Sequence, residues 1–220
     1  MCMGTSMRVT IICSDQSHPI MPYLQNWIDI NLRSIEILLV TSSRDIGGGD
    51  ILFLVSCSEK ITASVRSKFN HTLVLHASAL PKGRGWSPHI WGIVQGDDHI
   101  TLSLIEAEEE IDTGRIWKQK RINIPKYFLW DQINQSLFVA ELDLMTWAIE
   151  NSSVVLPKDQ NQTATPTYNR RRSDLDSQLD LEKTIEEQFD LIRVCDPNRY
   201  PAFFEKDGKK FKLKFERYDD

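Results

Sequence analysis

Four short apolar runs punctuate the first half of the chain: Arg8–Cys13 (RVTIIC), Ile35–Val40 (IEILLV), Asp50–Val55 (DILFLV) and Thr72–His76 (TLVLH). Each is too short for a core helix and rich in β-branched residues or leucine, so each reads as a strand buried on both faces. The segments between them carry helix signals. Ser17 and Pro19 mark a helix expected to reach Leu32, with Leu24, Trp27 and Ile28 turned toward the sheet, and Ser58 opens another expected to run to about Phe69. Strands alternating with helices predict an α/β fold, a Rossmann-like, mostly parallel sheet flanked by helices.

The triple glycine Gly47–Gly48–Gly49 is followed by Asp50 and a strand. A phosphate cradle would need a lysine and hydroxyl residue opening a helix, so this is a tight connection. Further on, the pattern predicts a short helix over Ser87–Gln95, strands over Thr101–Ile105 and Arg115–Trp117, and a long helix over Tyr127–Glu150. Residues 156–169 are polar, with Pro157 and Pro166 and no periodicity, and should run extended over the surface. A helix over Leu181–Val194 and a hairpin turning through Asp207–Gly208 complete the reading. The chain divides into residues 1–155, an α/β domain, and residues 156–220, an extension with a helix and the hairpin.

A net charge of −5 argues against a general nucleic-acid binder. Cys2, Cys13, Cys57 and Cys195 show no paired spacing and no histidine cluster to share a metal, so they read as incidental thiols of a reducing compartment. The N-terminus lacks the pattern of a secretory leader and no apolar run approaches a membrane span, which makes the expected location cytoplasmic.

Two stretches concentrate chemistry. In TLVLHASALPKGRGWSPHIW, a buried strand ends at His76, a flexible basic loop follows at Lys82–Gly85, and Pro88 restarts the chain as a helix. Strand ends of this kind are where open α/β sheets bind ligands. A lone histidine there is ordinarily a hydrogen-bonded structural residue. The second stretch, ITLSLIEAEEEIDTGRIWKQKRINIP, places an acidic loop and an Asp112-Thr113-Gly114 turn between two strands.

Together the two stretches resemble the formyltransferases that use 10-formyltetrahydrofolate. The matches are His76, Ser78, Leu80-Pro81, Arg84-Gly85, Pro88, Trp91, Asp112 and Gly114, in order and on the expected elements. The segment from Tyr168 through the arginine triplet to Asp174, and the run IRVCDPNRYPAFFEKDGKKFKL, are similar to the sugar-modifying branch of that family. One position departs: the family places an asparagine two residues before the histidine, and here it is Val74. Residues i and i+2 of a strand share a face, so Val74, His76 and Ser78 should point together, with a hydrocarbon where an amide donor is expected.

The resemblance implies transfer of a formyl group to an amine, with His76 donating to the developing oxyanion and Asp112 orienting it and accepting the amine's proton. It implies a folate site at Ser56, Leu75, Ile105, Ala107, Glu108 and Glu110, and an acceptor site at Ser78, Lys82, Arg84, Trp86, Tyr168, Arg171 and Arg172, with no metal. Both motif loops are expected to leave one end of the sheet and gather the folate there. Methionyl-tRNA enzymes of the family append a β-barrel, for which few residues remain after the long helix. The acceptor implied is therefore a nucleotide-linked amino sugar, UDP-linked in particular, and not a nucleic acid or a membrane component; a homodimer is compatible. Two alternatives stay open: transfer to a different amine or to water, and a binding-only relative that lost catalysis with its asparagine. The arginine triplet by itself reads as a solvated, charge-balanced face.

Overall fold

The computed structural model describes residues 6–32 and 35–218, so Cys2 lies outside the described residues. In chain order the elements are β1 (Arg8–Ile12), α1 (Met21–Asn31), β2 (Glu36–Val40), β3 (Gly49–Leu54), α2 (Ala63–Arg66), β4 (Phe69–His76), β5 (Arg84–Gly85), α3 (Pro88–Val94), β6 (His99–Glu106) and β7 (Ile116–Asn123). They continue with α4 (Trp130–Asn151), β8 (Tyr168–Asn169), α5 (Phe189–Arg193), β9 (Phe203–Lys206) and β10 (Lys209–Lys212).

The main sheet has the order β2-β1-β3-β4-β6-β7. The four strands foreseen from the apolar runs are parallel, whereas β6 pairs antiparallel with β4 and β7 antiparallel with β6. Period-2 alternation divides each strand between two cores. Val9 and Ile11 of β1, Ile51 and Phe53 of β3, and Leu73 and Leu75 of β4 join the larger core, with Leu24, Trp27 and Ile28 of α1 and the inner face of α4. Ile12, Leu52 and Leu54 point the other way into a smaller core with Val40, Ile46, Ile61 and Phe69, against which Val74 and Ala107 pack. Burial on both faces is why these strands read as continuous apolar runs. The smaller core is roofed by α2 and by loops, and loops part for a ligand at less cost than a packed helix layer does.

Three helices differ from expectation, each because local polar bonds won. α1 begins at Met21 with Pro22 in its first turn, not at Pro19. Ser17 does not cap it, because its N–H and hydroxyl donate to Asp15 Oδ1 at 2.9 and 2.7 Å. Ser58 likewise caps nothing: its N–H donates to Ser14 Oγ at 2.8 Å, tying it to the loop after β1. Ile61 is buried in the smaller core, α2 shrinks to four residues, and β4 starts at Phe69 instead of Thr72. In place of a helix over Leu181–Val194 there is a 3₁₀ turn at Glu186–Gln188 followed by the five-residue α5. Gln188 accepts from the Asp180 N–H and donates to the Asp180 carbonyl, and Glu187 accepts from the Thr184 N–H and hydroxyl. Such side-chain bonds offer the backbone an alternative to helix. The hairpin is as foreseen, with Asp207 and Gly208 at φ 52° and 70°.

One core residue of α4 carries a measurable consequence. Glu141 is 5% exposed, its Oε2 has no hydrogen-bond partner, and burial pushes its carboxyl up to about 8 from 4.5. The unfolded carboxyl ionises near 4.5 while the folded one stays protonated to about 8, so this residue erodes stability as pH rises across that window, with no further loss above it. Glu141→Gln is therefore expected to gain on the wild type by up to roughly 4 kcal/mol between pH 4.5 and 8. Denaturant titrations of both proteins at several pH values measure the difference; a difference that stays flat with pH contradicts the assignment.

Candidate active site

β4 delivers His76 at its last residue, on the face of the smaller core with Thr72 and Val74. The ring is 7% exposed and held from both sides. Nε2 lies 2.8 Å from the Gly83 carbonyl oxygen, and Nδ1 faces Asp112 Oδ1 at 3.5 Å. A carbonyl only accepts, so Nε2 carries the hydrogen and donates it, which leaves Nδ1 as the nitrogen turned to the carboxylate. Asp112 takes the left-handed conformation at φ 58°, and its Oδ2 accepts the Gly85 N–H at 2.8 Å.

The two partners meet by an unexpected route. Because β6 is antiparallel, its last residue, Glu106, pairs with Leu73 and not with the His76 end of β4. The acidic loop therefore leaves from the middle of β4, where the Ala107 N–H donates to the Thr72 carbonyl, heading away from His76. It folds back over the smaller core, with Ala107 packed there and Glu109 bridging Lys60 and Arg66, and so returns Asp112 to His76. The expectation that both motif loops leave one sheet end was wrong in this respect. The turn depends on Gly114, where a Cβ would lie 1.8 Å from the Glu106 carbonyl oxygen.

Ser78 departs from strand parity as well. β4 ends at His76, and the Ser78 N–H turns back to the His76 carbonyl at 3.0 Å. Its hydroxyl is buried and unpartnered, and its side chain lies against Gly83. Val74 and His76 do share a face, so no side-chain amide stands on β4 beside the histidine.

The remaining candidate residues fall into three groups. Ala107 and Glu108 line a cavity of about 260 Å³ with Arg66, Phe69–Thr72, Glu106 and Arg115. Thr72 Oγ1 in that lining is buried without a hydrogen-bond partner. Ser56, at φ 47°, is exposed at the end of β3 and Glu110 is exposed on the loop, whereas Leu75 and Ile105 are buried core residues. Leu75 faces the larger core, away from His76.

The third group is built by the extended arm, which runs back across the basic loop. β8 pairs parallel with β5, and the Arg84 and Trp86 N–H groups donate to Thr167 and Asn169 carbonyls at 2.9 and 3.1 Å. Gly85 has φ 90° and lies so close to Asn169 that a Cβ would meet its carbonyl oxygen at 2.5 Å. Arg84 Nη1 donates to Tyr168 Oη at 2.9 Å. Arg170 and Arg171 are exposed and Arg172 half-buried, and all three also stack: Arg171 lies over the Trp86 ring, and Arg170 and Arg172 lie over Trp91. Arg170 forks onto Asp176, whose carboxyl it holds well below the ordinary range, while Arg172 Nη1 is buried and unpartnered. Lys82 is exposed at the mouth of the loop. His89, at the start of α3, is pushed down to about 4 by burial and by the nearby His76, His18 and Arg172, and is neutral at physiological pH.

Sequence reasoning missed Gln160. It lies in the arm, 5% exposed, with its amide between Arg84 and the Asp112 turn. One of two glutamines in the polar run PKDQNQTATP, Gln160 carries no sequence signal of that placement. Among the described residues no group of histidines, cysteines and carboxylates is arranged to hold a metal, and no helix is long and apolar enough to cross a membrane.

The site thus sets a buried histidine–aspartate pair beside the fourth strand of a Rossmann-like sheet. The chain belongs to the formyl transferase family, whose N-terminal domain model matches residues 40–149. It is similar to a methionyl-tRNA formyltransferase of Desulfotalea psychrophila, 33% identical over 145 residues covering 63% of this chain and 43% of that protein. The match thus spans less than half of that relative's length. Among solved structures, a methionyl-tRNA formyltransferase from Clostridium thermocellum superposes at TM-score 0.82 and 19% identity, covering 97% of this chain and 94% of the other. A sugar N-formyltransferase from Shewanella superposes at 0.73 and 17% identity, covering 97% and 99%. HypX from Aquifex aeolicus in complex with tetrahydrofolic acid superposes at 0.75 and 18% identity, covering 94% of this chain and 37% of that one. At these identities the structures establish the shared fold.

Proposed function

We propose that this protein transfers a formyl group from 10-formyltetrahydrofolate to the amino group of a nucleotide-linked amino sugar, a UDP-linked 4-amino-4,6-dideoxy sugar in particular. The observation that carries the reading is His76, whose Nε2–H is committed to donation and whose Nδ1 faces Asp112. Transfer of an acyl group to an amine needs a donor where negative charge develops on oxygen and an acceptor for the proton the amine loses. Nε2–H serves the first purpose once the oxygen of the formyl group takes the place of the Gly83 carbonyl. Asp112, beside Nδ1, would serve the second, taking the amine's proton directly or through water. The proton then passes to the folate nitrogen as that nitrogen's bond to the formyl carbon breaks, which leaves tetrahydrofolate and the N-formyl product. With Val74 on the strand beside it, the donation falls on His76 without help from a neighbouring side-chain amide.

The folate fits the residues present. The cavity beside Ala107 and Glu108 is predominantly polar, with Asn70, Glu106, Arg66 and Arg115 set around Phe69 and Ala107, which suits a heterocycle with donors and acceptors on its edges. When bound, that molecule supplies the formyl group. Lys60 and Arg66 tether the loop through Glu109, so the loop closes against the ligand from one side.

The acceptor site is assigned to the arm. Arg171 and Arg172, set among Trp86 and Trp91, offer planar cations for diphosphate oxygens and aromatic faces for a base. Changing both arginines to alanine is expected to raise the acceptor's KM by about tenfold or more, the scale of one or two charge-assisted hydrogen bonds, while the folate KM stays within a factor of about two. Steady-state kinetics with each substrate varied in turn measures this, and equal effects on both constants would remove the arm from the acceptor site. A second reading, an aminoacyl-tRNA amine as acceptor, is favoured by the resemblance to methionyl-tRNA formyltransferase over 63% of the chain. Competition between the nucleotide sugar and initiator methionyl-tRNA separates the two.

A further inference from the structure

We propose that Gln160 is a positioning residue that ties the Asp112 turn to Arg84 and the acceptor arm; this rests on the proposed roles of His76 and Asp112. Its carboxamide uses both ends. Nε2 donates to the Asp112 carbonyl at 2.8 Å and the Gly114 carbonyl at 3.0 Å, and Oε1 accepts from Arg84 Nη2 at 2.8 Å. Two residues earlier, Lys158 exchanges both backbone hydrogen bonds with Ile116 at 2.7 and 2.8 Å, which anchors the arm to β7 and presents the glutamine to the turn. The carbonyls of Asp112 and Gly114 flank Thr113, so one amide group spans the turn from behind while Asp112 faces His76 in front. Asp112 holds φ 58°, a conformation unfavourable for a residue with a Cβ, and the two donated bonds help to over-determine it. Arg84 in turn bonds Tyr168, so a substrate that orders the arm also steadies the aspartate.

Two substitutions divide these duties. Gln160→Glu keeps the acceptor for Arg84 but replaces the donor with an oxygen that faces two carbonyls. Gln160→Met removes both functions at similar size. Both are expected to lower kcat by about 10- to 100-fold, the scale of a displaced reacting group, whereas only Gln160→Met raises the acceptor's KM. Neighbouring Asn161→Ala, whose side chain caps only Thr163, should leave kcat unchanged.

A second readout needs no substrate. The Gly85 N–H bonds Asp112 Oδ2, so its hydrogen exchange reports the aspartate's position. Exchange at Gly85 is expected to speed up by about tenfold in both variants relative to β1 and β3 amides, which report global opening. Unchanged Gly85 exchange relative to the strands, or a kcat within about twofold of wild type in Gln160→Glu, overturns the proposal. Failure of the wild type to transfer formyl to any amine would count against the proposed function and would leave the exchange result standing as the test of Gln160.

Discussion

His76→Ala is expected to reduce formyl transfer by at least about 1,000-fold while the folate still binds. Removing one oxyanion donor costs about 100- to 1,000-fold where it has been done in other enzymes, and here the same ring also packs against Asp112, the proposed proton acceptor. The neighbouring position that would supply a side-chain amide is Val74, whose hydrocarbon can take over neither duty. The ring is 7% exposed and spends both nitrogens on Gly83 and Asp112, so it contributes little surface to ligand binding in the cavity by Ala107 and Thr72. Single-turnover rates with saturating folate measure the chemistry directly, and calorimetric titration of folate measures the binding. A variant within about tenfold of the wild-type rate would assign the chemistry to another group.

Gly114→Ala is expected to be nearly as damaging, for a steric reason. A methyl group at this position would sit 1.8 Å from the Glu106 carbonyl oxygen and 2.7 Å from its carbon, both backbone atoms. Neither can rotate away. The Glu106 N–H is bonded to the Arg115 carbonyl at 2.9 Å, so the end of β6 and the turn must separate together. That movement carries Asp112 off His76 and pulls the Gly114 carbonyl from Gln160. Overpacking of this kind costs about 1–3 kcal/mol in stability, and a displacement near 1 Å at a reacting group costs about 100-fold in rate. Chemical denaturation and kcat, measured on the same preparation, should both fall. Full activity at wild-type stability would mean that the turn does not hold Asp112.

How much of this was legible in the sequence depended on which force decided each element. The parallel strands were readable because burial on both faces forces continuous apolar runs, and the hairpin because Asp207 and Gly208 supply the two left-handed conformations. The helices expected over Ser58–Phe69 and Leu181–Val194 failed because Ser14, Asp180 and Thr184 bond to backbone or side chains at sites that pattern does not encode. His76 and Asp112 were legible as a pair, but the route was not. That β6 runs antiparallel, so that the acidic loop must fold back, is a matter of topology that residue types leave open. Gln160 was invisible for the same kind of reason: its role lies in bonds to two carbonyls, and carbonyls carry no sequence.

The identity of the acceptor amine decides the function. Purified protein should be given 10-formyltetrahydrofolate with an isotopic label in the formyl carbon, together with UDP- and dTDP-linked 4-amino-4,6-dideoxy sugars and initiator methionyl-tRNA. Mass spectrometry then follows the label. The predicted result is a single labelled formyl group on the amine of a nucleotide sugar, UDP-linked in preference, with the tRNA unlabelled and with no transfer in His76→Ala. Label on methionyl-tRNA and on none of the sugars would contradict the assignment of the acceptor.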